Sequence, residues 1–78
     1  MNISSIVVKT RPENMDAVED SLVDSGLCEI HFTDDKGRIV ATVEGDTDAD
    51  ESDKLKKILE LPHVVSAEFA YTYVDPEA

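Results

Sequence analysis

Most of what an active site requires is missing from this chain. The lone cysteine, Cys28, cannot close a disulfide within the chain or build a multi-cysteine metal site, which suits a reducing compartment. Tryptophan is absent, and two Tyr and two Phe leave the core to Val, Ile, Leu and Ala. None of the three glycines belongs to a phosphate-cradling loop. No stretch approaches the ~20 apolar residues of a membrane helix. The N-terminus has neither the basic n-region nor the long apolar h-region of a secretory signal, so none is expected. Bases are scarce: 7 Lys and Arg face 18 Asp and Glu, for a net charge of −11. This balance excludes nucleic-acid binding that rests on neutralising phosphates. It favours a cationic partner through long-range attraction. An acidic surface kept for solubility would have the same composition, and charge alone does not separate the two.

Seventy-eight residues make one domain, residues 1–78, with a core of a single thin layer. Residues Ile3 to Lys9 are rich in β-branched types and read as a strand. Thr10-Arg11-Pro12-Glu13 has the form of a capping box with Pro in the first turn, which predicts a helix over roughly residues 11 to 25. Met15, Val18 and Leu22 mark its apolar face, and Gly26 is placed to end it in the left-handed conformation. Cys28, Ile30 and Phe32 alternate with Glu29, His31 and Thr33 as in a half-buried strand. Asp34-Asp35-Lys36-Gly37 supplies a hairpin turn, and Ile39, Ala41 and Val43 alternate on the return. The acids of residues 45–53 suit a helix start, followed by an apolar face of Leu55, Ile58 and Leu59. Asp50–Lys54 and Asp53–Lys57 have the spacing of helical ion pairs. Pro62 stops this helix, and a last strand runs from about Val64 to Val74.

The order βαββαβ is that of an α+β, ferredoxin-like domain, with two helices on one face of a four-stranded antiparallel sheet in the order 4-1-3-2. Nothing in the chain is left to cover the other face. With Ile6, Val8, Cys28, Ile30, Phe32, Ile39, Ala41, Val43, Val65, Ala67 and Phe69 taken as core, the open face falls to the alternate residues. These are Ser5, Val7 and Lys9; Glu29, His31 and Thr33; Arg38, Val40 and Thr42; and Ser66, Glu68, Ala70 and Thr72. Val7, Val40 and Ala70 form its apolar centre, with hydroxyl residues around it. A slip of one residue in any strand would exchange the faces.

No nucleophile, base and oxyanion donor recur together, so a binding module is expected and not an enzyme. His31 and His63 are too separated for metal ligation; the simplest readings are a surface histidine and a left-handed turn residue. Cys28 reads as a small buried hydrophobe. The acids of residues 46–53 lack the spacing and closing Glu of a calcium loop. No cofactor is expected.

The Ile3-Ser4-Ser5-Ile6-Val7-Val8 strand, the Arg11-Pro12-Glu13 helix entry and Gly26-Leu27-Cys28-Glu29-Ile30 together resemble the NapD family. So do Gly37-Arg38-Ile39-Val40 through Val43-Glu44, and Val64-Val65-Ser66-Ala67 running to Tyr71. The resemblance implies a cytoplasmic chaperone of the catalytic subunit of periplasmic nitrate reductase. Such a protein is expected to bind the twin-arginine signal peptide of the precursor while the molybdenum cofactor is inserted, delaying export. The site would be the open sheet face: Ser5, Val7, Lys9, His31, Val40, Thr42, Ala70 and Thr72. No nucleic acid and no membrane insertion are implied. The alternative is a small-molecule-sensing regulatory domain of the same fold, binding ligands near the loop between the first strand and first helix.

Overall fold

The computed structural model describes the backbone of residues 2–74 and the side chains of residues 2–70. The first strand, β1, spans Asn2–Thr10. A short 3-10 turn at Pro12–Asn14 leads into α1, Met15–Ser25. The hairpin strands are β2, Glu29–Thr33, and β3, Arg38–Gly45. They are followed by α2, Asp48–Leu59, and β4, Val64–Val74. The sheet order is β2-β3-β1-β4 and all pairings are antiparallel, as the ferredoxin-like pattern requires. Ile6, Val8, Ile39, Ala41 and Val43 on one sheet face close against Val18 and Leu22 of α1 and Ile58 of α2. Every one of these side chains is fully buried. Among the described residues no helix is long and apolar enough to cross a membrane.

Local chemistry accounts for where the elements stop. Gly26 ends α1 at φ 64°, with its N–H donating to the Val23 carbonyl at 3.3 Å. His63 sits at φ 68°, the left-handed turn position expected of it. The predicted capping box at Thr10 does not form: Arg11 caps the 3-10 turn without a side-chain bond. The Thr10 hydroxyl instead donates to the His63 carbonyl at 2.7 Å, while its N–H donates to Gly37 at 2.8 Å. Thr10 thereby ties the end of β1 to two turns at once. The capping box belongs to α2, where Thr47 Oγ1 accepts from the Asp50 N–H and the Asp50 carboxylate accepts from the Thr47 N–H. With Asp50 so engaged, the expected Asp50–Lys54 pair is not made. Lys54 Nζ donates to the Glu44 backbone carbonyl instead. Asp53–Lys57 is also absent from the ion pairs of the described residues, which are Arg11–Glu13 and Arg38–Asp34.

The buried side of α2 also departs from its apolar pattern. Leu59 is 44% exposed, whereas Glu51 is 2% exposed and its Oε2 has no hydrogen-bond partner among the described residues. Glu51 precedes Leu55 by one helical turn and Ile58 by two, so the stripe facing the sheet begins with a carboxylate.

Candidate functional site: the uncovered sheet face

The side of the sheet opposite the helices is built in rows by the strand register. Ile3 pairs with Glu44, Ser5 with Thr42, Val7 with Val40, and Lys9 with Arg38. On the outer strands Glu29 joins Thr42 and Phe32 joins Val40, while Glu68 joins Val7 and Ser66 joins Lys9. Directly paired residues share a face, so these rows hold the side chains that no helix covers.

Four assignments made from strict alternation are corrected by irregular pairing. The register shifts between Ile30 and Phe32, leaving His31 as an extra residue in β2. Phe32, expected in the core, therefore stands on the open face and is 62% exposed. Thr33, expected on the open face, pairs with the buried Ile39. In β4 the shift between Lys9 and Thr10 leaves Val65 unpaired and 68% exposed. A second shift places Phe69 opposite Ile6 and Tyr71 opposite Ser5, leaving Ala70 between them. Ala70 is exposed, but the neighbour of Val7 on β4 is Glu68. The apolar centre is thus Val7, Val40 and Phe32, not Val7, Val40 and Ala70.

One signal in the sequence points to Phe32, and it is the turn. Asp34 Oδ1 accepts from the backbone N–H groups of Lys36 at 2.9 Å and Arg38 at 3.0 Å. The Asp34 N–H donates to the Arg38 carbonyl at 3.0 Å. Counting outward from this closed loop pairs Thr33 with Ile39 and Phe32 with Val40, so the turn sets the register at this end. The bulge at His31 then restores Ile30 to the core side, opposite Ala41.

Val7, Phe32, Asp34, Arg38 and Val40 line a depression of about 250 Å³. At its rim Arg38 Nε donates to Asp34 Oδ2 at 2.6 Å. The Arg38 backbone N–H bonded to Asp34, with its guanidinium and the Lys36 N–H, holds the Asp34 carboxyl below the usual carboxylate range. On the other side of the patch His31 Nε2 and Thr42 Oγ1 are hydrogen-bonded at 2.8 Å. Of the sequence-derived site, Ser5, Val7, Lys9, Val40 and Thr42 lie in the rows of this face, and His31 reaches it through Thr42. Ala70 occupies the bulge, and the side chain of Thr72 lies outside the described residues.

Elsewhere the chemistry is sparse. Cys28 is half-buried against the core and burial pushes its thiol pKa up, which makes it a poorer nucleophile. Among the described residues no group of three or more His, Cys, Asp or Glu is placed to hold a metal ion. The face offers apolar area, hydroxyls and separated charges, an arrangement suited to holding a polypeptide segment.

Comparison with known proteins narrows the class. No curated protein matches the chain significantly in sequence. The fold is similar to the solution structure of the E. coli Tat proofreading chaperone protein NapD, with a TM-score of 0.81 at 17% identity. That match covers 97% of this chain and 81% of the other. It is less similar to the structured domain of Drosophila melanogaster Boca, at TM-score 0.58 and 14% identity, over 90% of this chain and 96% of that one. The sequence model of the NapD protein family matches residues 1–76. A match over nearly the whole length decides the question: the chain belongs to the NapD protein family.

Proposed function

We propose that this chain is a cytoplasmic chaperone that binds the twin-arginine signal peptide of a periplasmic nitrate reductase catalytic subunit. Binding holds the precursor back from export until its molybdenum cofactor is inserted and maturation is complete. The observation that carries the reading is the uncovered sheet face, where Val7 and Val40 sit half-buried beside an exposed Phe32. A signal peptide joins a basic n-region to an apolar segment. The apolar segment lies across the Val7–Val40–Phe32 patch, where burial contributes roughly 25 cal/mol per Å² before ordering costs. The arginines are drawn to a domain of net charge −11 and paired by carboxylates. No bond is made or broken, so the same surface holds the peptide and releases it.

Titration calorimetry with the signal peptide of a co-encoded nitrate reductase precursor tests this reading. A saturable interaction that weakens with salt, and weakens further when both arginines are replaced by Gln, is the expected result. Absence of binding at any salt concentration overturns it. The regulatory-domain alternative would use the depression of about 280 Å³ lined by Arg11, Asn14, His63, Val64 and Val65, beside the first strand–helix loop. A small anion that raised thermal stability while the peptide did not would favour that alternative.

A further inference from the structure

The open face is not symmetric along its strands. At the hairpin end stand Lys9 and Arg38, paired across β1 and β3. At the opposite end stands Glu44, opposite Ile3, with Glu29 one row inward beside Thr42. Six residues of strand separate the two ends, or about 20 Å. Neither Glu29 nor Glu44 takes part in the ion pairs among the described residues. Lys54 Nζ donates to the Glu44 backbone carbonyl and makes no ion pair with the Glu44 carboxylate among the described residues. Glu44 also lines two depressions at this end. One, of about 180 Å³, includes Glu29 and Thr42 with Lys54; the other, of about 420 Å³, includes three acids, Asp46, Asp50 and Asp53, with Lys54 and Lys57. Between the two charged ends lie Val7, Val40 and Phe32, with Glu68 beside Val7 on the outer strand β4.

From this polarity we infer that the bound peptide has one direction: its arginines lie at the Glu29–Glu44 end, and its apolar segment runs toward the hairpin, over Val40, Val7 and Phe32. The inference rests on the docking reading above and adds the orientation of the occupant. Net charge does not set that orientation. At physiological salt the Debye length is about 8 Å, so charges some 20 Å apart are screened from each other and each arginine responds to its own end. Reversed, the arginines would meet Lys9 and Arg38, and the latter already has its carboxylate in Asp34. The apolar span also fits. About 13 residues of helix cover 20 Å at 1.5 Å per residue, enough to carry a helical segment from the arginine end past Phe32 to the hairpin.

The test uses a synthetic peptide of two adjacent arginines followed by about 13 apolar residues, bearing a nitroxide at one end or the other. Paramagnetic broadening is read on the backbone amides of isotope-labelled full chain. A label at the arginine end is expected to broaden Glu29, Thr42 and Glu44, and a label at the far end to broaden Lys9, Thr33 and Arg38. The double variant Glu29→Lys, Glu44→Lys should weaken the peptide roughly tenfold, the size expected for reversing two exposed charge pairs. Asp20→Lys, on the exposed side of α1 away from this face, should leave affinity within about twofold. The reversed broadening pattern, or equal broadening at both ends, overturns the orientation and leaves the docking face standing. Binding that broadens only residues of α1 and α2 overturns the docking reading as well. All the substituted side chains are exposed, so the variants remain folded for the measurement.

Discussion

Replacing Phe32 by Ala separates folding from binding at the residue that alternation misplaces. A phenylalanine side chain carries roughly 200 Å² of surface. With 62% of Phe32 exposed, about 120 Å² is open for a peptide to cover. At about 25 cal/mol per Å² covering that area contributes up to ~3 kcal/mol, of which an alanine methyl recovers roughly a third. The net loss of ~2 kcal/mol corresponds to about a 30-fold rise in Kd. Folding should hardly notice. What Phe32 supplies to the domain is a cross-strand contact with Val40, worth roughly 0.2–1 kcal/mol. Peptide affinity by calorimetry and stability by urea unfolding on the same preparation give both numbers. If Phe32→Ala binds as tightly as the parent, the patch is not where the peptide sits. If it unfolds the domain, Phe32 belongs to the core and the register of β2 is wrong.

Three further outcomes follow from the same geometry. Hydrogen bonds from the Arg38 backbone, its side chain and the Lys36 N–H favour ionised Asp34, so its contribution to stability is present above the ordinary Asp value near ~3.9. That contribution is lost as pH falls through the lower folded value; an NMR titration should show Asp34 titrating below exposed carboxylates and moving up in Arg38→Gln. Glu51→Leu replaces a buried carboxylate whose Oε2 lacks a partner among the described residues, so the urea midpoint should rise by the equivalent of about 1–3 kcal/mol. An unchanged or lower midpoint would mean that Glu51 is satisfied in solution. Gly37→Ala should destabilise by several kcal/mol, since its φ is 91° and an added Cβ would lie 1.9 Å from the Thr10 carbonyl oxygen; thermal unfolding within a few degrees of the parent would contradict this.

Regular alternation carried the sequence reading as far as the strands are regular. β1 and β3 pair without a shift, and there Ile6, Val8, Ile39, Ala41 and Val43 all fall in the core as the period of two requires. β2 and β4 contain bulges, and one extra residue reverses a face, which is why alternation misplaces Phe32, Thr33, Val65 and Ala70. Thr10-Arg11-Pro12-Glu13 has the form of a capping box. Thr10 is claimed instead by the turn at His63, a residue 53 positions away that no local pattern reveals. Burial of Glu51 contradicts its hydropathy, although its helical spacing to Leu55 and Ile58 points to the same face. The uncovered face was legible from the order of the elements, which leaves no third helix to cover it. The composition of the patch was not, because it depends on how one hairpin turn closes.

The claim on which the account depends is that the peptide docks on the uncovered face of the sheet and not on the helices. Amide chemical-shift mapping of the labelled chain, titrated with the twin-arginine signal peptide, tests it most directly. The account predicts the largest shifts along Val7, Phe32, Val40 and Thr42, with the exposed side of α1, including Asp20, Val23 and Asp24, unmoved. Shifts concentrated on α1 and α2, with the Val7 and Val40 amides unchanged at saturation, would contradict it.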